Sequence, residues 1–231
     1  MIFIIYINEG EFMGNEYEKY IKVEDKIYKN LEITIPTNKI IGNPNLDKGL
    51  NWISSGVEKL FDFGCGNGSM LFYCALRGVE NLHGMDLSTE AIKLAKERAK
   101  LMKCGFYDFK VGSIEELVTK AYESYDGIIL SNIIDNLRPE DGEELLRQAR
   151  RIVKENGKIL IKLNPYITEE KIKEWNVKII DDNLLDDGLL LWNQTTEQWR
   201  ELFKKYFKEE EFVDIYFPEY DQHNRMFFMR K

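Results

Sequence analysis

The sequence has few cysteines and no cluster of basic residues, and each absence excludes a class of protein. The three cysteines, Cys65, Cys74 and Cys104, are odd in number and lack the spacing of metal ligands, which argues against a disulfide framework and a metal site. A reducing cytoplasm is therefore the expected compartment. Lysine and arginine total 32 against 40 acidic residues, a net charge of −8. Because nucleic-acid binding draws on clustered cations, we expect no nucleic-acid partner.

The N-terminus lacks the features of a membrane span or a signal peptide. Its apolar segment, residues 1–7, is far shorter than the roughly 20 residues that cross a bilayer. It has no basic leader and is followed by Glu9 and Glu11, unlike a signal peptide. We therefore expect no membrane partner. The segment forms either an extra edge strand or an incidental leader before a true start at Met13, and the second interpretation is favoured.

The composition suits a single domain. With 231 residues, 44% hydrophobic and 13% aromatic, the chain can bury one core. Predicted strands and helices alternate along it, which favours an α/β, doubly wound, mostly parallel sheet with its ligand at the carboxyl ends of the strands. We predict an N-terminal extension with a covering helix (1–45), a core (46–163 and 195–231) and an insertion (164–194). The insertion forms either a lid together with the covering helix or an extension of the core or a dimer contact.

Local signals predict the remaining elements. Periodic apolar residues indicate helices, apolar runs bounded by turn residues indicate strands, and glycine or proline marks the breaks. The predicted elements are a covering helix at 15–31, a linker at 35–48, a hairpin pairing 177–180 with 188–192, a helix capped by Thr195, and a closing antiparallel pair of strands at 212–217 and 225–229.

An apolar run that breaks into three glycines is the strongest functional signal. Residues 59–63 predict a strand buried on both faces, with Asp62 as its one acid. Gly64, Gly66 and Gly68 follow. Glycines let backbone N–H groups approach a ligand where a side chain would obstruct. The apolar residues after the glycines recur at helical spacing, so the loop opens a helix.

Spacing separates three nucleotide-binding loops that have this composition. An NTPase phosphate loop needs Gly-Lys-Ser/Thr after its last glycine, and Gly68 is followed by Ser69-Met70, which excludes it. A dinucleotide fingerprint needs an acid about 20 residues on, and Asp86 satisfies that condition, so this alternative stays open. The glycine pattern, with Asp62 ending the first strand, closely resembles motif I of class I S-adenosylmethionine-dependent methyltransferases. In that family the third glycine comes one residue sooner than in the dinucleotide fingerprint.

Asp86 is the second predicted anchor. Residues 81–86 predict a short strand, and Ser88 is placed to cap the helix after it. A carboxylate at the carboxyl end of that strand, beside a glycine loop, can accept both hydroxyls of a ribose.

The resemblance, which covers roughly residues 57–231, implies a seven-stranded sheet with an antiparallel last strand, helices on both faces, and a cofactor along the strand ends. The loop and Asp62 would hold the methionine part of S-adenosylmethionine, with Ser131 and Asn132 beside it. The family commonly has an acid where Ser113 stands, so the adenine contact would come from its hydroxyl or from the Ile114 backbone. The full implied set is Tyr20, Asp62, Gly64, Cys65, Gly66, Asn67, Gly68, Asp86, Leu87, Gly112, Ser113, Ile114, Ser131 and Asn132.

In the resembled family, aromatic residues of N-terminal helices often reach over the cofactor, which implies that role for Tyr17 or Tyr20. Asp135, just after the fourth strand, is the best candidate for a general base. Asn164-Pro165-Tyr166 superficially resembles the Asn-Pro-Pro-Tyr of amino-group methyltransferases. It follows the fifth strand instead of the fourth and lacks one proline, so we do not assign it a catalytic role.

The resemblance implies methyl transfer from S-adenosylmethionine to a small-molecule acceptor, leaving S-adenosylhomocysteine. A sulfonium is already activated, so the protein mainly has to position a nucleophile in line, and no metal is needed. A catalytically silent cofactor-binding regulator or partner subunit is the alternative, followed by an NAD-binding oxidoreductase. The sequence encodes neither the acceptor, the methylated atom nor the oligomeric state.

Overall fold

The computed structural model describes residues 15–186 and 188–231. The apolar segment 1–7 and the alternative start at Met13 lie outside the described residues. The helices are α1 (Asn15–Lys29), α2 (Pro44–Ser54), α3 (Ser69–Ala75), α4 (Thr89–Leu101), α5 (Pro139–Ile152), α6 (Glu169–Glu174) and α7 (Thr196–Phe203). The strands are β1 (Lys59–Phe63), β2 (Asn81–Asp86), β3 (Phe106–Val111), β4 (Tyr125–Ser131), β5 (Val153–Leu163), β6 (Lys178–Asp181), β7 (Leu184–Asp186), β8 (Leu190–Trp192), β9 (Lys208–Phe217) and β10 (Gln222–Arg230). Short 3₁₀ helices lie at Ile114–Thr119 and Ile134–Asn136.

The main sheet has seven strands in the order β3-β2-β1-β4-β5-β10-β9. Strands β1 to β5 pair in parallel, whereas β10 is antiparallel to both β5 and β9. The predicted seven-stranded, mostly parallel sheet with an antiparallel last strand is therefore confirmed. Chain order reverses between β1 and β4, which neighbour each other although β2 and β3 lie between them in sequence. Ligands of open α/β sheets bind at such a switch point, beyond the carboxyl ends of the strands.

Helices cover both faces of this sheet, as the alternating pattern predicts. Neighbouring residues of β10 show the two sides: Phe227 belongs to one buried cluster and Phe228 to the other. The Phe227 side is covered by α5 and α7, whose Trp199 and Phe203 are fully buried, and the Phe228 side by α2, α3 and α4. Burial on both faces explains why the central strands are almost continuously apolar.

The linker predicted at 35–48 is too long, because α2 begins inside it. Pro44 opens that helix, where its missing N–H costs nothing. The Asn43 side chain accepts hydrogen bonds from the backbone N–H groups of Asn45 and Leu46, which makes it the N-cap. The residues that suggested a break are therefore a helix-start signal.

The insertion forms a second, three-stranded antiparallel sheet in the order β6-β7-β8. The predicted hairpin of 177–180 with 188–192 is wrong, because β7 lies between these two strands. The signal missed was Leu184-Leu185, which are both buried. Leu184, Leu190 and Trp192 join the main core on the α5 and α7 side, so the insertion is packed onto the domain.

The predicted capping box is confirmed: the Thr195 side chain accepts from the Gln198 backbone, and the Gln198 side chain accepts from the Thr195 backbone. Helix α5 ends at Ile152, and β5 begins at the next residue, Val153. Across residues 15–186 and 188–231, no helix combines the length and the apolar character needed to cross a bilayer.

Candidate active site

A large cavity opens at the carboxyl ends of β1, β2 and β4, the point where the strand order reverses. Its volume is about 920 Å³, near the upper end of the roughly 300–1,000 Å³ usual for small-molecule sites. Its walls come from α1, the strand ends, the insertion and the turn between β9 and β10. The members of the predicted cofactor set that line it are Tyr20, Gly64, Asp86, Leu87, Ser113, Ile114, Ser131 and Asn132.

The glycine loop is bonded to the end of β2. Gly64 and Cys65 donate their N–H groups to the Met85 carbonyl at 2.8 and 3.0 Å, and Gly66 donates to the Asp86 carboxylate at 2.8 Å. Gly64, Gly66 and Gly68 have φ values of 72°, 50° and 77°, in the region that favours glycine. This conformation requires the glycines that the sequence supplies.

The other predicted contacts lie behind the loop and shape it. The Cys65 side chain is buried toward Gly84, where an added Cβ would lie 2.7 Å from its sulfur. Asn67 accepts hydrogen bonds from Ser69 through its side chain and from Arg98 through its carbonyl, both at 2.8 Å. Gly68 caps α3, and the Gly112 N–H donates to the Asp86 carbonyl at 3.0 Å. Cys65, Asn67, Gly68 and Gly112 therefore support the loop and do not line the cavity, and neither do Asp62 and Gly66.

Two acids, near the end of β1 and at the end of β2, have unusual surroundings, and of the two only Asp86 lines the cavity. Asp62 is 1% exposed, and its Oδ1 has no hydrogen-bond partner among the described residues. Burial and, to a lesser degree, the nearby Asp86 charge raise the pKa of Asp62 well above its usual range. Asp86 accepts from the N–H groups of Gly66 and Ser88, both at 2.8 Å; burial raises its pKa and these hydrogen bonds oppose the rise. A buried carboxylate oxygen without a donor fits a ligand that brings a donor or a positive charge, as the ammonium and sulfonium of S-adenosylmethionine do.

Helix α1 presents one face to the cavity, formed by Tyr17, Tyr20, Ile21, Glu24 and Tyr28. Tyr17 donates to Asp141 at 2.7 Å and accepts from the Arg138 N–H at 3.0 Å, so its hydroxyl fastens α1 to the start of α5. The aromatic side chain against the glycine loop is Tyr28, because a Cβ added to Gly66 would collide with its hydroxyl. Ile27 of this helix and Leu31, just beyond its end, are exposed.

Ser113 stands beside the cavity at the end of β3, but its hydroxyl is already engaged. It donates to the Glu116 carboxylate at 2.6 Å and also hydrogen bonds to Glu115. Glu116 in return accepts from the Ser113 N–H, which completes a capping box. The implied adenine contact at Ser113 and Ile114 stays a prediction.

A hydrogen-bonded series of polar side chains lies at the ends of β4 and β5, and we call it the floor of the cavity. Lys162 donates to the Asn132 side-chain oxygen, and the Asn132 amide donates to the Asn164 oxygen. The Asn164 amide donates to Asn136 at 3.1 Å, and the Asn136 amide donates to the Leu190 carbonyl of the insertion at 2.6 Å. All three asparagines line the cavity. Burial lowers the pKa of Lys162 to about 8.

Sequence reasoning gave Asn136, Asn164 and the cavity-lining Arg225 no role. Arg225 is 3% exposed and donates to the carbonyls of Asn164, at 2.8 and 3.1 Å, and Gln194, at 2.7 Å. Asn164 could have been found from its place at the end of a buried strand, but the mismatch with the amino-group motif hid it. Arg225 carries no local signal, because its contacts lie far from it in sequence.

Asp135, the predicted base, lies under this floor and does not line the cavity. It is fully buried, and its Oδ2 accepts from the Asn164 N–H at 2.6 Å. Burial raises its pKa, while the Asn164 N–H and the charges of Arg225 and Lys162 oppose the rise. This placement favours holding Asn164 in position, and the general-base role stays a prediction.

Comparisons with known proteins agree with this architecture. Residues 61–161 match a family model described as a methyltransferase domain. Phosphoethanolamine N-methyltransferase 1 from Arabidopsis thaliana is 28% identical over 164 residues, or 64% of this chain. The match covers 32% of that protein, so the chain spans about a third of its length.

Solved structures have the same fold at low sequence identity. The N-methyltransferase NodS from Bradyrhizobium japonicum, in complex with S-adenosylhomocysteine, is 15% identical with a TM-score of 0.63, covering 90% of this chain and 98% of that one. A protein from Pyrococcus horikoshii is 18% identical with a TM-score of 0.61, covering 95% and 93%. The residues that match the methyltransferase-domain model, 61–161, contain the glycine loop, Asp86 and the strands around the switch point.

Proposed function

We propose that this protein transfers the methyl group of S-adenosylmethionine to a small molecule held in the 920 Å³ cavity. The observation that carries the proposal is the lining of that cavity. Gly64 of the glycine loop and Asp86 line it together with side chains of the insertion and of the β9–β10 turn. A donor and an acceptor can therefore share one cavity.

At the donor end, each group of the chain has a separate task. Asp86 can accept the ribose hydroxyls while it keeps its two backbone hydrogen bonds, because a carboxylate has about four acceptor positions. Asp62 offers its unpartnered oxygen to the amino group of the methionine part. The bound donor supplies an activated methyl group, and the chain fixes its position relative to the acceptor.

The acceptor end is enclosed by aromatic and polar side chains. Tyr166 and Trp175 of the insertion and Tyr220 and His223 near the β9–β10 turn surround the floor, to which Asn132 belongs. Tyr166, Trp175 and Tyr220 are 39%, 52% and 72% exposed, so they form the rim of the opening. Such a site fits a small acceptor, and the name of the Arabidopsis relative, phosphoethanolamine N-methyltransferase 1, also points to a small molecule.

The cover of this site is also part of the proposal. Helix α1 and the insertion meet across the cavity, where Lys19 pairs with Asp186 at 2.9 Å. Together they would act as a lid that admits ligands and excludes water from the reacting centre.

Two measurements test the proposed function. Calorimetry should detect binding of S-adenosylmethionine and S-adenosylhomocysteine, each tighter than NAD. Donor carrying a labelled methyl group should then label a component of a small-molecule pool, with tRNA and protein pools run in parallel. Tighter binding of NAD would favour the oxidoreductase alternative. Tight binding of the donor without labelling of any pool would favour a catalytically silent regulator.

A further inference from the structure

Glu24 is an acid that faces the donor end of the cavity without a partner. It projects from α1 on the same face as Tyr28 and lines the cavity together with Asp86 of β2. Across residues 15–186 and 188–231, it has no hydrogen bond or ion pair, although it is only partly exposed. An acid withdrawn from water without compensation is costly unless it is protonated or meets a ligand of opposite charge.

The charged groups that act on Glu24 are both acidic, namely Asp86 from β2 and Asp25 from α1. Asp62 of β1 adds a fully buried carboxylate whose Oδ1 lacks a partner, and Tyr28 and Cys65 are the other titratable groups at this end. Arg98 of α4 is engaged with the carbonyls of Thr34 and Asn67 and with Ser69. Burial, then the charges of Asp86 and Asp25, raise the pKa of Glu24 to about 7.

We propose that Glu24 recognises the positive charge of the methyl donor and ionises when the donor binds. The inference rests on the proposed function and adds a residue of α1 to the donor site. It follows from position and charge: a partnerless acid lines the cavity beside Asp86, and the charged groups that act on it are acidic.

Ionisation of Glu24 distinguishes the methyl donor from the product. S-adenosylmethionine carries a sulfonium charge that S-adenosylhomocysteine lacks. A cation near a carboxyl lowers its pKa, so Glu24 gives up its proton to the buffer as the donor enters, and no covalent bond to the donor is made or broken. With a pKa of about 7 in the free protein, the carboxyl is about half protonated at pH 7, and binding releases about half a proton. Loss of the sulfonium charge on methyl transfer weakens this attraction and favours release of the product.

Calorimetry at pH 7 in two buffers of different ionisation enthalpy measures the released protons directly. Wild-type protein should release about half a proton with S-adenosylmethionine and clearly less with S-adenosylhomocysteine. Glu24→Gln should reduce the release with the donor close to zero and should narrow the donor-to-product affinity ratio several-fold at pH 8. Glu18→Gln, on the same helix in a solvent-exposed pair with Lys22, is the matched control and should behave as wild type.

A titration of the unaltered protein gives a second readout. As pH rises from 6 to 8, Glu24 ionises, so affinity for the donor should rise several-fold while affinity for the product changes less. Equal proton release by wild type and Glu24→Gln, or parallel pH profiles for donor and product, would overturn the proposal while leaving the proposed function intact. If neither compound bound at all, the proposed function would fail, and this inference with it.

Discussion

Gly66 donates its backbone N–H to the Asp86 carboxylate across 2.8 Å, which joins the glycine loop to the end of the second strand. The Ser88 N–H approaches the other carboxylate oxygen at the same distance, so Asp86 also fixes the start of α4. One side chain therefore sets the shape of the loop, and we propose that its remaining lone pairs accept the hydroxyls of a ribose. Substitutions at Asp86 act on both roles.

Changing Asp86 to Ala should weaken S-adenosylmethionine binding about tenfold or more, since hydrogen bonds to a charged group contribute about 1.5–3 kcal/mol. Calorimetry gives the affinity, and circular dichroism checks that the domain is folded. Asp86→Asn keeps one acceptor oxygen without the charge and should fall between Ala and wild type. Wild-type affinity in the Ala variant would contradict the assignment.

Changing Gly66 to Ala should abolish cofactor binding in a folded domain. The new Cβ meets Tyr28, and the backbone has φ +50°, where a side chain is strained. Gly78→Ala is the matched control, because Gly78 also has positive φ, +97°, with no atom within 4 Å of an added Cβ. It should cost stability and leave binding intact.

The double variant Gly66→Ala/Tyr28→Ala tests whether binding is lost because the new Cβ obstructs the ligand or because it collides with Tyr28. Tyr28→Ala removes the side chain that meets the new Cβ. If backbone approach to the ligand is what Gly66 provides, the double variant should still fail to bind in calorimetry. Full recovery of binding would mean that the glycine only makes room for Tyr28.

Changing Lys162 to Met should alter how stability depends on pH. The pKa of Lys162 is lowered from 10.5 to about 8 in the folded protein. Between these values the unfolded chain binds more protons, so the wild-type free energy of unfolding gains stability from this group as pH rises. Below pH 8 the buried ammonium of Lys162 lowers the free energy of unfolding by its full amount. Above the unfolded pKa this destabilisation is absent.

Denaturant unfolding at pH 7 to 10 measures this effect. The stability of the Met variant minus that of wild type should fall with pH by at most about 1.4 kcal/mol per unit. Other titrating groups are common to both proteins and cancel in the difference. A difference that stays constant with pH would show that Lys162 keeps an ordinary pKa when folded.

The strand-to-loop motifs were predictable because their signals are local. Asp62, the three glycines and Asp86 are determined by a strand, a turn and a helix start that follow one another in the chain. Asn164 and Arg225 were missed because they meet only through the pairing of β10 with β5. Glu24 was missed for the same reason, since its setting is created when α1 docks over β2 and α4. Helix α2 shows a different failure, in which Asn43-Pro44 was interpreted as a break although it begins a helix.

Ligand should protect the proposed lid from hydrogen exchange. If α1 and the insertion open and close, residues 15–31 and 166–194 should exchange more slowly once S-adenosylhomocysteine is bound, because binding favours the closed state. The core strand β4 should be equally protected with and without ligand and serves as the internal reference.

Tyr17→Phe tests which contact holds the lid. It removes the hydroxyl that donates to Asp141 and accepts from the Arg138 N–H. Loss of these two part-buried hydrogen bonds costs about 1–3 kcal/mol, which should favour the open state and speed exchange in 15–31 while β4 is unchanged. Tyr206→Phe loses a more exposed hydrogen bond to Glu143 and is the matched control. The lid proposal would be wrong if both segments were fully protected without ligand and if neither ligand nor Tyr17→Phe changed their exchange rates. In that case α1 and the insertion would be fixed parts of the domain.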